Sequence, residues 1–214
     1  MSHDSLNSYF TLFGLPPHLT VDAAALEKSF YALSRKLHPD RFAARPAAEQ
    51  AAALAESSRL NDAYRTLKDP IARTEYLLKL EGIELEEQSS AATAAARTSG
   101  TAKKQVVPED LLEEAFELNM QLEEMRAAKK MGEDDPQLRK DLQAAKVDFD
   151  AKMAAAQADL ESLWSQWDNA TNPTDPAASD RAAQLAARDA MVALLNRRSY
   201  LRNLVRDVNA ALEV

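Results

Sequence analysis

The chain has no cysteine, which excludes a disulfide framework, a thiolate nucleophile and any zinc or iron–sulfur centre held by its own thiolates. Glycine is scarce, with 4 in 214 residues, and neither a G-x-G-x-x-G nor a P-loop pattern occurs. Histidine is limited to His3, His18 and His38. None follows a glutamate by three positions and there is no H-E-x-x-H, so no catalytic constellation, metal site or cofactor is expected. Basic residues form no run, and 26 Lys+Arg against 34 Asp+Glu give a charge of −8. That balance offers no broad footprint for a phosphate backbone, so nucleic acid is not an expected partner. No apolar run approaches the roughly 20 residues needed to span a bilayer. The opening MSHDSLNSYF lacks the basic start and apolar stretch of a secretory signal, and Asp4 is out of place in a mitochondrial targeting peptide. The expectation is a cytoplasmic protein without a membrane partner.

What the chain does have is alanine, 41 of them, the best helix former. Proline and glycine divide it into long uninterrupted stretches, and an all-α protein is predicted. Asp69-Pro70, Asp135-Pro136 and Asp175-Pro176 each read as an N-cap followed by proline at the first helical position. Gly82 and Gly132 read as helix stops. Leu26, Phe30, Leu33 and Leu37 make one apolar stripe on a helix opening near Thr20. Ala53, Ser57, Leu60, Tyr64 and Leu67 make another, on a helix from about Ala47 that can lie antiparallel to the first. Short helices near Tyr9–Phe13 and Ile71–Leu80 complete a four-helix unit over residues 1–80. Residues 81–105 read as a linker, of which 88–105, small and polar with no stripe, read as a flexible insertion. From 106 to 214 three stripes follow, starting at Pro108, Pro136 and Pro176, and predict an antiparallel three-helix bundle. Trp164 and Trp167 fall on or beside the second stripe and read as core or core edge.

Between the first two long helices lies His38-Pro39-Asp40. Alone, the tripeptide would be a turn with an aspartate cap. Here it follows a helix carrying Lys28, Arg35 and Lys36, precedes Arg41-Phe42, and lies upstream of Asn61-Asp62-Ala63-Tyr64-Arg65-Thr66-Leu67-Lys68-Asp69-Pro70. This arrangement resembles the J-domain of co-chaperones that stimulate the ATPase of the seventy-kilodalton heat-shock chaperones. The resemblance implies that Asp40 binds an arginine of the ATPase, that His38 and Pro39 set the loop, and that Lys28, Arg35, Lys36 and Arg41 form a positive patch facing an acidic chaperone surface.

The first bundle helix carries more apolar surface than its core stripe of Leu111, Ala115, Leu118, Leu122 and Met125 requires. Leu112, Phe116 and Met120 form a second row about 100° round, flanked by Glu113 and Glu117. The row either widens the core face or is a helix-face binding site with an apolar centre and charged rim.

Ser8-Tyr9-Phe10-Thr11-Leu12-Phe13-Gly14-Leu15-Pro16, Leu37-His38-Pro39-Asp40-Arg41-Phe42-Ala43 and Arg73-Thr74-Glu75-Tyr76-Leu77-Leu78 resemble the HscB family, the J-proteins dedicated to iron–sulfur cluster assembly. Glycine-phenylalanine and cysteine-rich segments of general J-proteins are missing, as is the N-terminal tetracysteine motif of some family members. The resemblance implies a non-enzymatic co-chaperone that delivers the scaffold protein IscU to an HscA-type chaperone. It places Leu112, Phe116, Glu117 and Met120, with Tyr200 as an aromatic from the last helix, at the scaffold contact. Glu113 and Met120 depart from the chemistry expected there. The competing reading is a J-domain protein delivering another client to a general DnaK-type chaperone.

Overall fold

The computed structural model describes residues 8–83, 85, 108–133, 135–172 and 174–213. The expected flexible insertion at 88–105 lies outside them. Seven α-helices and no strand are found among the described residues: α1 Tyr9–Leu12, α2 Ala23–Leu37, α3 Ala47–Lys68, α4 Pro70–Leu80, α5 Leu112–Met131, α6 Pro136–Ala170 and α7 Arg181–Leu212. They fall into two compact units, Met1–Leu85 with Leu163–Asp189, and Glu86–Ser162 with Ala190–Val214.

In the first unit α2 starts at Ala23, not near Thr20, because the Asp22 carboxylate accepts from the Ala24 and Ala25 amides at 2.9 and 3.1 Å. This satisfies two of the donors that a helix start leaves without partners. The α2 and α3 stripes meet as expected. Leu26, Ala53, Leu60, Ala63 and Leu67 are buried, and Phe30 stacks on Tyr64 with ring centroids 4.2 Å apart. Asp69 caps α4 through the Ala72 amide at 2.8 Å, with Pro70 in the first turn. Tyr76 of α4 stacks on Tyr9 at 4.4 Å, and its hydroxyl accepts from the Tyr9 amide, fastening α1.

The second unit is an up-down-up arrangement. Arg197 of α7 bonds Asp110 and Lys129 of α5 bonds the Ala211 carbonyl, so α5 and α7 run the same way. Lys152 of α6 pairs with Glu114, while Arg139 bonds the Leu212 carbonyl, so α6 runs against both. Leu118, Leu122, Leu142, Phe149, Leu201 and Val208 meet in the core.

Two expectations change. Pro176 opens only a 3-10 turn, Pro176–Ala178, and the last helix starts at Arg181. Asp180 is the effective cap: its carboxylate accepts from the Ala183 amide at 3.0 Å. Nor does one cut between 80 and 106 separate the compact units. The end of α6 and the start of α7 belong with the N-terminal helices. The cause is a set of polar bonds that helical periodicity does not report: Trp164 to Thr74, Trp167 to the Pro17 carbonyl, Asp168 to the Leu19 and Thr20 amides, and Arg181 to Glu81.

Candidate functional site

The His38 loop is built from local rules. A residue before proline is driven from helical to extended backbone, and His38 sits at φ −61°, ψ 126°, ending α2. Pro39 then opens a 3-10 turn, Pro39–Phe42. His38 Nδ1 accepts from the Asp40 amide at 3.3 Å and lies 3.5 Å from Asp40 Oδ2. The imidazole thus caps the turn through the Nδ1 lone pair. Both side chains remain open to solvent, 54% for His38 and 88% for Asp40.

Four further bonds hold the loop. The Arg41 amide donates to the His38 carbonyl at 3.0 Å, and Arg41 Nη1 donates to the Arg35 carbonyl at 3.2 Å. Gln50 Nε2, from α3, donates to the Ala43 and Arg45 carbonyls at 3.2 and 2.8 Å. Arg41 thus satisfies a C-terminal carbonyl of α2 while its charge favours that negative end of the helix dipole. The loop is therefore a pinned display of an imidazole and a carboxylate.

Lys28, Arg35, Lys36 and Arg41 are exposed, so the expected positive patch is open. Lys28, Tyr31 and Arg35 lie within about 60° of one another around α2, and Tyr31 is also exposed. Tyr31 is an aromatic on the polar face of α2, off its apolar stripe. Gln50 leaves no comparable sign in the sequence, because only the fold brings its amide to the loop.

The lead-in to α2 is held by a buried polar cluster. Arg73 donates to the Leu19 and Leu67 carbonyls at 2.8 and 2.5 Å and lies over the Trp164 ring, 5.6 Å from its centroid. Burial pulls the Arg73 pKa down from its ordinary value, against the opposing pull of Asp168 and Asp69. Asp168 accepts from Leu19 and Thr20 at 2.7 and 2.8 Å. Trp164 and Trp167 are buried as expected, but their indole nitrogens are spent on this cluster.

In the second unit the additional row on α5 is open: Leu112 is 52% exposed, Phe116 69% and Met120 60%. It does not widen the core face. Glu113 and Glu117 beside it are exposed. Tyr200 departs from the expectation. At 8% exposure it packs in the core with Leu201 and Leu204, and burial raises its phenol pKa. It therefore presents no open aromatic beside the row. An acid-bordered groove of about 480 Å³ lies between α5 and α6, with Glu117, Asp141 and Asp148 on its walls. Lys152 bonds both Asp148 and Glu114; burial alone would lower its pKa, yet these two carboxylates raise it overall. Among the described residues no cluster of three or more His, Asp or Glu could hold a metal ion, and no helix is long and apolar enough to cross a membrane.

A helical hairpin with a rigid, solvent-facing His-Pro-Asp turn and a cationic flank defines a J-domain protein, and the DnaJ domain family matches residues 8–76. The chain is 36% identical over 151 residues to the co-chaperone protein HscB homolog of Vibrio cholerae, covering 70% of this chain and 73% of that protein. The Chromobacterium violaceum homolog is 41% identical over 90 residues, and the matched stretch spans about half of that relative's length, 51%. The solved structure of chaperone HscB from Vibrio cholerae superposes with a TM-score of 0.55 at 28% identity, over 95% of this chain and 96% of that one. The chain belongs to the HscB co-chaperone family.

Proposed function

We propose that this protein delivers an IscU-type iron–sulfur scaffold to an HscA-type heat-shock chaperone and stimulates its ATPase, the chemistry being done by the partner. The observation that carries this reading is the presence of two separate displays, the pinned His38 loop in one compact unit and the bare Leu112, Phe116 and Met120 row in the other. On the chaperone side, Asp40 is the anionic contact, His38 and Pro39 hold its backbone, and Lys28, Arg35, Lys36 and Arg41 steer an acidic surface into register. Binding that favours the partner's hydrolysis-competent state couples docking to its two-state switch. On the scaffold side, Phe116 is the apolar anchor, Leu112 and Met120 extend it, and Glu117 lies on the rim. Tyr200 supports this helix from the core and is not assigned a direct contact. Delivery of another client to a general DnaK-type chaperone would use the same loop, and no observation favours it.

The test is separation of the two surfaces. His38→Gln should abolish stimulation of a purified HscA-type ATPase while leaving scaffold binding intact. Phe116→Ala should weaken scaffold binding by roughly tenfold or more and leave scaffold-independent stimulation unchanged. Loss of both activities in either variant, with the fold preserved by circular dichroism, would contradict the division of labour.

A further inference from the structure

The docking row ends in a thioether, and thioethers are the only sulfur groups this chain possesses: 6 methionines and no cysteine. Met125 and Met191 are buried to 2% and 0% exposure, while Met120 and Met131 stand open at 60% and 68%. Two-electron oxidation requires access to the sulfur, so among the described residues Met120 and Met131 are the exposed methionines and Met153 is half-buried. Met120 stands two turns beyond Leu112 and one beyond Phe116 on the apolar row, whereas Met131 is the last residue of α5.

We infer that Met120 is a peroxide-sensitive modification site whose oxidation releases the scaffold from the α5 row; this rests on the proposed reading of that row. In the reaction a sulfur lone pair attacks one oxygen of hydrogen peroxide. The S–O bond forms as the O–O bond breaks, and the departing hydroxide takes the remaining peroxide proton to leave as water. The sulfur is oxidised by two electrons to the sulfoxide and the peroxide is reduced. A methionine sulfoxide reductase reverses the change, two thiols supplying the electrons and leaving as a disulfide with one water.

The consequence follows from polarity. A flexible apolar end that suits an apolar partner surface becomes a strong hydrogen-bond acceptor. Burying it against an aliphatic contact leaves that acceptor without a partner, a cost equivalent to roughly tenfold weaker binding. Peroxide would thus uncouple scaffold capture while leaving the His38 loop untouched.

The experiment compares full-length protein before and after graded hydrogen peroxide, with sulfoxides located by peptide mass spectrometry and binding measured to a purified IscU-type scaffold. Wild-type protein should lose affinity by about tenfold in step with Met120 sulfoxide, and methionine sulfoxide reductase with a dithiol should restore it. Met120→Leu should show no change between its own treated and untreated samples, and Met131→Leu should behave as wild type in both. Affinity that persists with Met120 fully oxidised, or Met120→Leu losing affinity to peroxide as wild type does, overturns the inference alone. Untreated wild type failing to bind the scaffold overturns the reading of the row, and this inference with it.

Discussion

Asp168 performs at long range a task that capping residues perform locally. Its two carboxylate oxygens each take one backbone amide, Leu19 and Thr20, from a segment nearly 150 positions earlier in the chain. Removing a part-buried acceptor leaves such donors to find water or remain unpaired, at about 1–3 kcal/mol. Asp168→Ala should therefore lower the unfolding free energy by that amount in urea titration, and Asp168→Asn, which keeps one oxygen, should cost less. No loss in either variant would mean these contacts do not hold in solution. His38, Pro39 and Asp40 were legible in the sequence because their geometry is set by neighbours one or two positions away. Arg73 and Asp168 were not, since their partners are tertiary. The burial of Tyr200 is hard to read for a related reason. Helical periodicity states which residues share a face, but in a three-helix bundle α7 turns one side to two neighbours, and Tyr200 with Leu201 and Leu204 fills that wider face.

At the scale of the element, the caps were the most readable features. Asp135 bonds the Gln137 and Leu138 amides at 2.9 and 3.0 Å, starting α6 where the sequence placed it. Gly132 ends α5 in the left-handed region, φ +73°, and an added Cβ there would meet nothing within 4 Å. Gly132→Ala should therefore cost about 1–2 kcal/mol through backbone conformation alone, read as a lower urea midpoint with an unchanged slope. A neutral substitution would show that the helix end relaxes out of this conformation. Asp175-Pro176 had the same signature as the other two starts and opened only a turn. Asn172 gathers the Thr174 and Asp175 amides through its side-chain oxygen, and Ser179 Oγ accepts from the Asn172 amide, so the segment closes on itself before Asp180 caps the helix. The exposed row on α5 was visible as surplus: more apolar positions than one core stripe requires.

At the scale of the molecule, the number and order of the helices among the described residues follow from alanine content and punctuation. The compact units do not, because their boundary is set by side chains of Leu163–Asp189 and not by a change of composition. Each unit carries one display, and under the proposed function the chain would gain from occupying both partners at once. Joint occupancy would then bring scaffold and ATPase together at a high effective concentration. The most direct test is steady-state ATP hydrolysis by a purified HscA-type chaperone with this protein, with and without an IscU-type scaffold, using His38→Gln as the control. Stimulation should require His38, and the scaffold should amplify it beyond the sum of either component alone. His38-dependent stimulation that the scaffold leaves unchanged would contradict the assignment of the cargo, and no stimulation at all would return His38-Pro39-Asp40 to being a turn.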